Sequence, residues 1–302
     1  MTSPPVRTLF RLRVLALLGA LAIALTACGS DGGGGQPAVS GVATTVAPDG
    51  PTAIISLSPT ATEILFAIGA GRQVVAVDNM SNYPAEAPVT ELSGFTPNVE
   101  SIAGYDPDLV VISYDPGDLV DGLEALGIPT VMQWAANSIE DTYSQIAELG
   151  DLTGQVEEAT AVNESIRAGL AELSDDPVGA GMTYFHEIDN TLYSATSTTF
   201  VGQLYALLGL ENIADPADEA GFGWPQLSAE FILEADPDII FLSDAAWGES
   251  AETVAARPGW DVLTAVVDGH VVPLDQDTSG RWGPRVVDFI ESVKVAIEGF
   301  EG

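Results

Sequence analysis

The chain contains little cysteine, little histidine and little positive charge. One cysteine and two histidines occur in its 302 residues. The single cysteine, Cys28, stands near the N-terminus, so the chain beyond it has no disulfide, no thiolate metal site and no cysteine nucleophile. Two histidines are also too few for a zinc site with three or more histidine ligands.

Basic residues are scarce beside acidic ones. Nine Lys and Arg face 44 Asp and Glu, which gives a formal net charge of −35. A surface this acidic argues against nucleic acid and anionic lipid as partners. We interpret it as an adaptation to salt or a solubility feature, not as an acidic active site. Only six basic residues follow Cys28, so the close pair Arg281 and Arg285 is informative.

The first 27 residues predict a signal peptide. Three arginines precede an apolar run, residues 14–25, that is too short to span a bilayer comfortably. The run ends in Leu25-Thr26-Ala27-Cys28, which resembles the bacterial lipobox. The resemblance implies cleavage before Cys28 and acylation of that residue, and hence an extracytoplasmic protein bound to the cell membrane through its lipid anchor only. The alternative is an ordinary secretory signal beside a chance cysteine.

The chain after the signal peptide reads as a tether followed by an α/β fold. Residues 28–52 are rich in Gly, Ser, Thr and Pro and predict a flexible tether. Beyond them, short apolar runs alternate with helical periodicity, which predicts parallel sheets. The predicted strands cover 53–58, 74–77, 109–113, 129–134, 182–188, 238–243 and 270–274. The predicted helices cover 60–69, 99–104, 117–126, 138–150, 155–173, 199–209, 227–235 and 284–298.

One long segment separates two strand-containing regions. Residues 138–173 are helical in pattern, apart from an interruption near Thr153-Gly154, and contain no strand. We therefore predict an N-terminal lobe at 53–150, a rigid connecting helix at 151–179 and a C-terminal lobe at 180–302, with a ligand cleft between the lobes.

An internal repeat supports two equivalent lobes. Residues 100–113 read ESIAGYDPDLVVIS and residues 230–243 read EFILEADPDIIFLS. In each copy a glutamate, Glu100 or Glu230, falls in the first turn of a short helix, where it is favourable against the helix dipole. Capping alone explains one such glutamate, whereas two at the same register indicate a second role.

Several segments, in order, resemble the periplasmic binding proteins for cobalamin and ferric siderophores. These segments are IISLSPTATEILFAIG, VVAVDNMSNYPAEA, PNVESIAGYDPDLVVIS, GWPQLSAEFILEADPDIIFL and VVPLDQDTSGRWGPRVVDFIE. The resemblance covers residues 53–300 and implies two Rossmann-like lobes joined by one long, stiff helix. It also implies capture of a metal chelate, cobalamin or a ferric chelate, and delivery to an ABC permease with its ATPase. The chelate is a transported ligand, and no cofactor, resident metal or catalytic residue is implied.

The resemblance assigns roles to individual residues. It implies that Glu100 and Glu230 dock on arginines of the permease. It implies that Asp277 and Arg281 bind the amide edge of a corrinoid and that Trp224 lies in the cleft. Phe95 and Tyr114 fall near two further aromatic ligand positions, and Met80 stands near a position where the cobalamin-binding members have tyrosine.

Other residues leave alternatives open. His186, at a predicted strand end on the cleft rim, could ligate haem iron or corrin cobalt, but a plain strand-end histidine is the preferred interpretation. Arg285 could bind ligand or bond within its lobe. Trp282 and Trp247 are further cleft candidates. For Trp134 and Trp260 we predict structural packing, and for His270 a structural turn.

With the resemblance taken into account, three classes of function compete: a binding protein, an enzyme and an adhesin. A corrinoid binder leads, because strongly anionic catecholate siderophores favour several cleft cations and this chain offers two arginines. A ferric siderophore or haem binder of the same family is the alternative. An extracellular hydrolase is a distant alternative: the chain has no Gly-x-Ser-x-Gly elbow and no Walker-type loop, although its many acids could supply a carboxylate pair. An adhesin or structural lipoprotein would not need aromatic residues at paired loop positions, such as Phe95 and Trp224 before the two copies of the repeat.

Overall fold

The structure, a computed structural model, describes residues 50–301. The predicted signal peptide, the predicted lipidation site Cys28 and the tether as far as residue 49 lie outside these residues. Within residues 50–301, none of the helices is both long enough and apolar enough to cross a bilayer.

Short strands and helices alternate along the described residues, as an α/β fold requires. The strands are β1 (Ile54–Leu57), β2 (Val74–Val77), β3 (Leu109–Ile112), β4 (Thr130–Met132), β5 (Thr183–Glu187), β6 (Glu211–Asn212), β7 (Ile239–Leu242) and β8 (Val271–Pro273). The α-helices are α1 (Pro59–Ala67), α2 (Val99–Ala103), α3 (Leu119–Glu124), α4 (Ile139–Thr153), α5 (Val156–Ser174), α6 (Phe200–Leu207), α7 (Ala229–Ala235), α8 (Ala251–Ala255), α9 (Thr264–Val267), α10 (Gln276–Ser279) and α11 (Val286–Glu298).

The strands form two parallel sheets with the same order. The first sheet has the order β2-β1-β3-β4 and the second has the order β6-β5-β7-β8. Every strand pair within them is parallel, so all strands of a sheet end at the same edge. The predicted α/β class with two lobes and parallel sheets is confirmed.

Both faces of the first sheet are buried, which explains its continuous apolar strands. Along β1, Ile54 packs into one core and Ile55 into another, on the opposite face. The core that contains Ile54 is continuous: it passes along α4 and α5 and reaches Tyr184 and Phe241 of the second sheet. The two lobes therefore share one apolar core at the back of the molecule.

The sequence repeat is also a structural repeat. Asn98 caps α2 by accepting a hydrogen bond from the Ser101 amide at 2.7 Å, and Ser228 caps α7 by accepting one from the Phe231 amide at 3.1 Å. Each helix is then followed by an aspartate with positive φ, Asp106 at 51° and Asp236 at 43°.

The second aspartate of each Asp-Pro-Asp has a structural role. Asp108 Oδ2 accepts a hydrogen bond from the Thr52 amide at 2.8 Å, and Asp238 Oδ2 accepts one from the Thr183 amide at 2.7 Å. Each aspartate thereby ties its own strand to the start of the neighbouring one, which accounts for its presence in both copies.

The long segment predicted to be helical, residues 138–173, folds as two helices, α4 and α5. Helix α4 ends at Gly154, which has a φ of 75°, and α5 runs back beside α4, with Asn163 Nδ2 donating to the Tyr143 carbonyl at 2.9 Å. Helix α5 spans roughly 28 Å from its 19 residues. It contacts α1 and α4 of the first lobe and α6 and α11 of the second. The predicted boundary at residue 150 falls inside α4, which is part of the first lobe.

Several short elements were not predicted. Strand β6 consists of two polar residues, Glu211 and Asn212, so it has no apolar run to reveal it. Helices α8, α9 and α10 have only four or five residues each, too few for a helical period to emerge.

Candidate functional site

A cavity of about 310 Å³ opens at the carboxyl edge of the first sheet. On this side its walls are residues that follow three neighbouring strands: Ser58 after β1, Asp78 and Met80 after β2, and Tyr114 after β3. Phe95, from the loop before α2, completes the wall. Ligands of open α/β sheets bind outside the carboxyl ends of the strands, so we call this space the carboxyl-edge cavity and treat it as the candidate site.

The opposite wall of the carboxyl-edge cavity comes from near the end of the chain. Asp277, Arg281 and Trp282 line it. They belong to residues 275–285, here named the return segment because it follows β8 of the second sheet and then packs on the first lobe. The indole Nε1 of Trp282, for example, donates to Gln145 Oε1 of α4 at 2.9 Å.

Both terminal nitrogens of the Arg281 guanidinium are engaged within the protein. Its Nη1 donates to Glu63 Oε1 at 2.7 Å, and its Nη2 donates to Asp277 Oδ1 at 2.7 Å and to Asn82 Oδ1 at 2.8 Å. The side chain is only 7% exposed. Arg281 therefore contributes a neutralised, hydrogen-bonded surface to the cavity rather than a free positive charge.

Arg285 bonds within the protein and does not line the cavity. Its Nε donates to Glu63 Oε2 at 2.9 Å and its Nη2 donates to Glu63 Oε1 at 2.6 Å, a bidentate pair. This hydrogen bonding raises the pKa of Arg285. The guanidinium also lies 4.2 Å from the ring centroid of Tyr83. The bond that the sequence left open as an alternative is therefore present, but it joins Arg285 to Glu63 of the first lobe and not to a residue of its own lobe.

Glu63 organises both arginines and was not recognised as a site residue. It is buried and accepts hydrogen bonds from Arg281 and Arg285. A buried carboxylate needs such partners, because moving it out of water costs roughly several kcal/mol of free energy. Arg281 and Arg285 are four residues apart just before α11, and this close pair is the sequence signal that could have suggested an acid shared between them.

Asp78 is a buried carboxylate in the wall of the carboxyl-edge cavity. It is 1% exposed, and its Oδ1 accepts a hydrogen bond from Ser81 Oγ at 2.6 Å. Burial raises the pKa of Asp78, and hydrogen bonds from Ser81 and from the backbone of Met80 and Gly94 oppose that rise. A Cβ on Gly94 would lie 3.0 Å from Asp78 Oδ2 and 2.5 Å from the Leu57 carbonyl oxygen, which explains the glycine.

Five of the predicted ligand residues meet at the carboxyl-edge cavity, and two do not. Met80, Phe95, Tyr114, Asp277 and Arg281 line it. Trp224 is exposed on the second lobe, in a loop that Asp218 holds by accepting the Gly223 amide at 2.6 Å, and it does not line this cavity.

The prediction that His186 lies at a cleft rim is wrong. The residue is inside β5 and only 4% exposed. Its Nδ1 is 3.0 Å from the Tyr205 hydroxyl and its Nε2 is 3.1 Å from Ser243 Oγ, so both ring nitrogens are engaged. Burial lowers the pKa of His186 to about 4, which keeps the ring neutral. It is a core histidine and cannot reach a ligand from this position.

The other tryptophans and His270 divide between core and surface. Trp260 is buried and His270 stacks on Phe300, as a structural role requires. Trp134, for which we predicted packing, is exposed just beyond the carboxyl end of β4. Trp134 is exposed because β4 ends at Met132, two residues before the end of the predicted strand.

Glu100 and Glu230 occupy equivalent places in the two lobes. Each is the second residue of its helix, α2 or α7, and each is exposed. Neither lines the carboxyl-edge cavity. Within residues 50–301, no cluster of three or more His, Cys, Asp or Glu side chains could hold a metal ion.

Relatives of the chain are solute-binding proteins. It is 30% identical to the cobalamin-binding protein of Halobacterium salinarum, over 84% of this chain and 71% of the relative. It is 29% identical to the uncharacterized ABC transporter substrate-binding lipoprotein YvrC of Bacillus subtilis, over 82% of this chain and 80% of the relative.

Solved structures share the fold. The periplasmic vitamin B12 binding protein BtuF of Vibrio cholerae superimposes with a TM-score of 0.66 and 25% identity, over 84% of this chain and 99% of that one. The periplasmic heme-binding protein RhuT of Roseiflexus superimposes with a TM-score of 0.71 and 22% identity, over 84% and 100%.

The family description that matches is that of the periplasmic binding proteins, and the match covers residues 54–278. These residues include both sheets and most of the lining of the carboxyl-edge cavity. The chain therefore belongs to the periplasmic binding protein family, whose members are extracytoplasmic, solute-binding components of transport systems and not enzymes.

Proposed function

We propose that this protein captures a corrinoid, such as cobalamin, and delivers it to an ABC permease with its ATPase. The observation that carries the proposal is the carboxyl-edge cavity itself, which combines exposed apolar side chains with an arginine whose charge is already neutralised. The names of the relatives that bind cobalamin support the same class of ligand.

The apolar part of the cavity suits a large, flat ligand. Met80, Phe95 and Tyr114 are exposed although they line a cavity, and Phe95 is 70% exposed. Large apolar side chains left open to water in this way are typical of ligand sites. Their rings and thioether can pack against the face of a corrin.

The polar part of the cavity suits amides better than anions. Arg281 already bonds with Glu63 and Asp277, so an incoming carboxylate or catecholate would have to compete with buried partners. Asp277 is half-buried and accepts hydrogen bonds from Asn82 and Arg281. It remains the side chain best suited to accept an amide hydrogen of a corrinoid side arm.

Haem is the alternative ligand, and the position of His186 does not favour it. A haem site commonly supplies an axial ligand for iron and cations for the propionates. His186 is in the core, and Arg281 is paired. Tyr114 is the lining side chain that could still ligate iron.

A ligand titration tests the proposal. The soluble domain is titrated with cyanocobalamin, haem and a panel of ferric siderophores, and binding is followed by tryptophan quenching, because Trp282 lines the cavity. We expect cyanocobalamin to bind. Binding of haem or a siderophore without any corrinoid would overturn the assignment of the ligand.

A matched pair of tyrosines tests the place of binding. Tyr114 follows β3 at the cavity, whereas Tyr105 precedes β3 at the opposite edge of the sheet, and both are exposed. We expect Tyr114→Ala to weaken corrinoid binding about tenfold, the loss for a buried aromatic contact of about 1.4 kcal/mol. Tyr105→Ala is the control and should bind as the parent does; equal affinities in both variants would contradict the assignment of the cavity.

We also propose that Glu100 and Glu230 dock on arginines of the permease. Both carboxylates are exposed at the same register of equivalent helices and lie outside the cavity, so each is accessible to a partner. Exposed charges of one sign at an interface steer association and fix register more than they add affinity.

The lipid anchor belongs to the same proposal. Acylation of Cys28, with the tether after it, would keep the binding domain close to the permease. Two or more acyl chains are needed for stable anchoring, which is the number that a lipoprotein-type modification supplies.

A further inference from the structure

We propose that Asp78 makes the carboxyl-edge cavity selective against anionic ligands, so that the corrinoid bound is one whose side arms are amides and not carboxylates. This inference rests on the proposed function, and it concerns one residue, Asp78, that neither the repeat nor the resemblance assigned. Three observations carry it: the place of Asp78, the charges around it and a second acid in the other lobe.

The place of Asp78 puts its charge beside the space that a ligand would occupy. It follows β2 directly, lines the cavity and is 1% exposed. The carboxylate is held by Ser81 Oγ at 2.6 Å. Ser81 Oγ in turn accepts from Thr62 Oγ1 at 3.0 Å, which itself lies 2.9 Å from Ser56 Oγ. Neutral hydroxyls of this kind stabilise a carboxylate without cancelling its charge.

The charges around the cavity do not compensate Asp78. Arg281 and Arg285 are both paired with Glu63, and Arg281 is also paired with Asp277. The two positive charges of these arginines are thus already balanced by the two carboxylates of Glu63 and Asp277, without Asp78. Asp78 makes no ion pair within the described residues, so its negative charge is left to act on whatever enters the cavity.

The second lobe also has a buried acid at the carboxyl edge of its sheet, although it follows the strand equivalent to β3 and not the one equivalent to β2. In the internal repeat, Asp244 follows β7 as Tyr114 follows β3. Asp244 is buried, and its Oδ1 has no hydrogen-bond partner among residues 50–301. A buried acceptor without a donor costs about 1–3 kcal/mol, and a ligand N–H would satisfy it. Asp244 therefore adds a buried acceptor at the carboxyl edge of the second sheet, outside the lining of the carboxyl-edge cavity.

The chemical consequence is a preference for donors. A carboxamide side arm can donate its N–H to an aspartate, whereas a carboxylate in the same place meets a like charge that is poorly screened. Conversion of one amide of the ligand to an acid should therefore cost affinity, and the cost should depend on Asp78.

The test compares two ligands in matched variants. Cyanocobalamin and its monocarboxylic acid derivative are titrated against the parent, Asp78→Asn and Asp121→Asn. Asp121 is an exposed acid on α3, so its variant controls for the change in overall charge. We expect the parent to prefer the amide roughly tenfold or more, Asp78→Asn to lose most of that preference, and Asp121→Asn to retain it. Asp78→Ser is the second variant if Asp78→Asn folds poorly, as judged by its melting temperature.

Failure of this inference is distinct from failure of the proposed function. Corrinoid binding with an unchanged preference in Asp78→Asn and Asp78→Ser would overturn the role of Asp78 and leave the corrinoid assignment intact. Binding of haem alone would overturn the corrinoid assignment. The comparison of an acidic with a neutral ligand would then be repeated with haem and its dimethyl ester. A parent that binds neither pair contradicts both proposals.

Discussion

Arg257 shows how a single residue sustains a buried acid in this acidic chain. Its Nη1 and Nη2 donate to the two carboxylate oxygens of Glu187, which has no exposed surface, and Nη2 also reaches Glu249 Oε2 at 2.7 Å. The guanidinium lies 4.7 Å from the ring centroid of Trp260. The acids Glu187 and Glu249 thus depend on one cation, as Glu63 depends on its own arginines in the first lobe.

We predict that Arg257→Met lowers the free energy of unfolding by about 3–5 kcal/mol at neutral pH, because Glu187 is left buried and unpaired. Burial raises the pKa of Glu187 above its ordinary 4.5. The folded protein therefore holds this proton more tightly than the unfolded chain does, and the contribution of Glu187 to stability falls as the pH rises through its raised pKa.

The deficit of Arg257→Met should thus shrink as the pH is lowered from 7 toward 5, which urea unfolding at several pH values measures. The double variant with Glu187→Gln is the control and should recover much of the loss. A deficit that stays the same at both pH values would instead point to the lost packing on Trp260.

Some site residues could be predicted from the sequence and others could not, for a physical reason. Phe95, Tyr114 and Asp277 stand in or beside the segments that resemble the family, so the resemblance indicated them, and all three line the cavity. Glu63 and His186 owe their roles to partners far along the chain, Arg281 and Tyr205. No local pattern records such a partner.

At the scale of elements, α4 and α5 depend on close contact at their junction. A Cβ on Gly150 would lie 2.5 Å from the Ala159 Cβ and 3.2 Å from the Gln155 carbonyl oxygen. Alanine normally stabilises a helix by about 1 kcal/mol relative to glycine. Here the contact opposes that gain, because the two helices would have to separate.

We predict that Gly150→Ala lowers the free energy of unfolding by about 1–3 kcal/mol, the usual cost of overpacking. Gly104→Ala is the control, since a Cβ there meets only ordinary contacts at 3.4 Å and beyond, and it should be close to neutral. Both are measured by urea unfolding. Stabilisation by Gly150→Ala would show that helix propensity outweighs the contact.

The repeat was the most informative element-scale signal. It correctly indicated equivalent helices and strands in two lobes, and the equal sheet orders extend that equivalence beyond the repeat itself. It could not reveal β6, because a two-residue strand of Glu and Asn owes its pairing to β5 alone. It also could not reveal that the return segment leaves the second sheet and lines a cavity of the first lobe.

At the scale of the whole molecule, the two proposed docking residues lie one in each lobe. The Glu100→Ala and Glu230→Ala variants, alone and together, should reduce uptake of ligand by cells that carry the permease and leave ligand affinity unchanged, because both residues are outside the cavity. Glu234→Ala, an exposed glutamate of the same helix as Glu230, is the control. A loss of affinity in the purified variants would place these residues at the ligand instead.

The apolar core shared by the lobes ties their unfolding together. It joins β1 and α1 to Tyr184, Phe241 and α11 through α5, so neither lobe can melt without exposing the apolar surface of the other. A ligand held mainly by the first lobe would then protect the second lobe from heat and proteases as well. Ligand binding would in this sense stabilise residues 50–301 as one cooperative unit, and loss of the ligand would lower the stability of both lobes together.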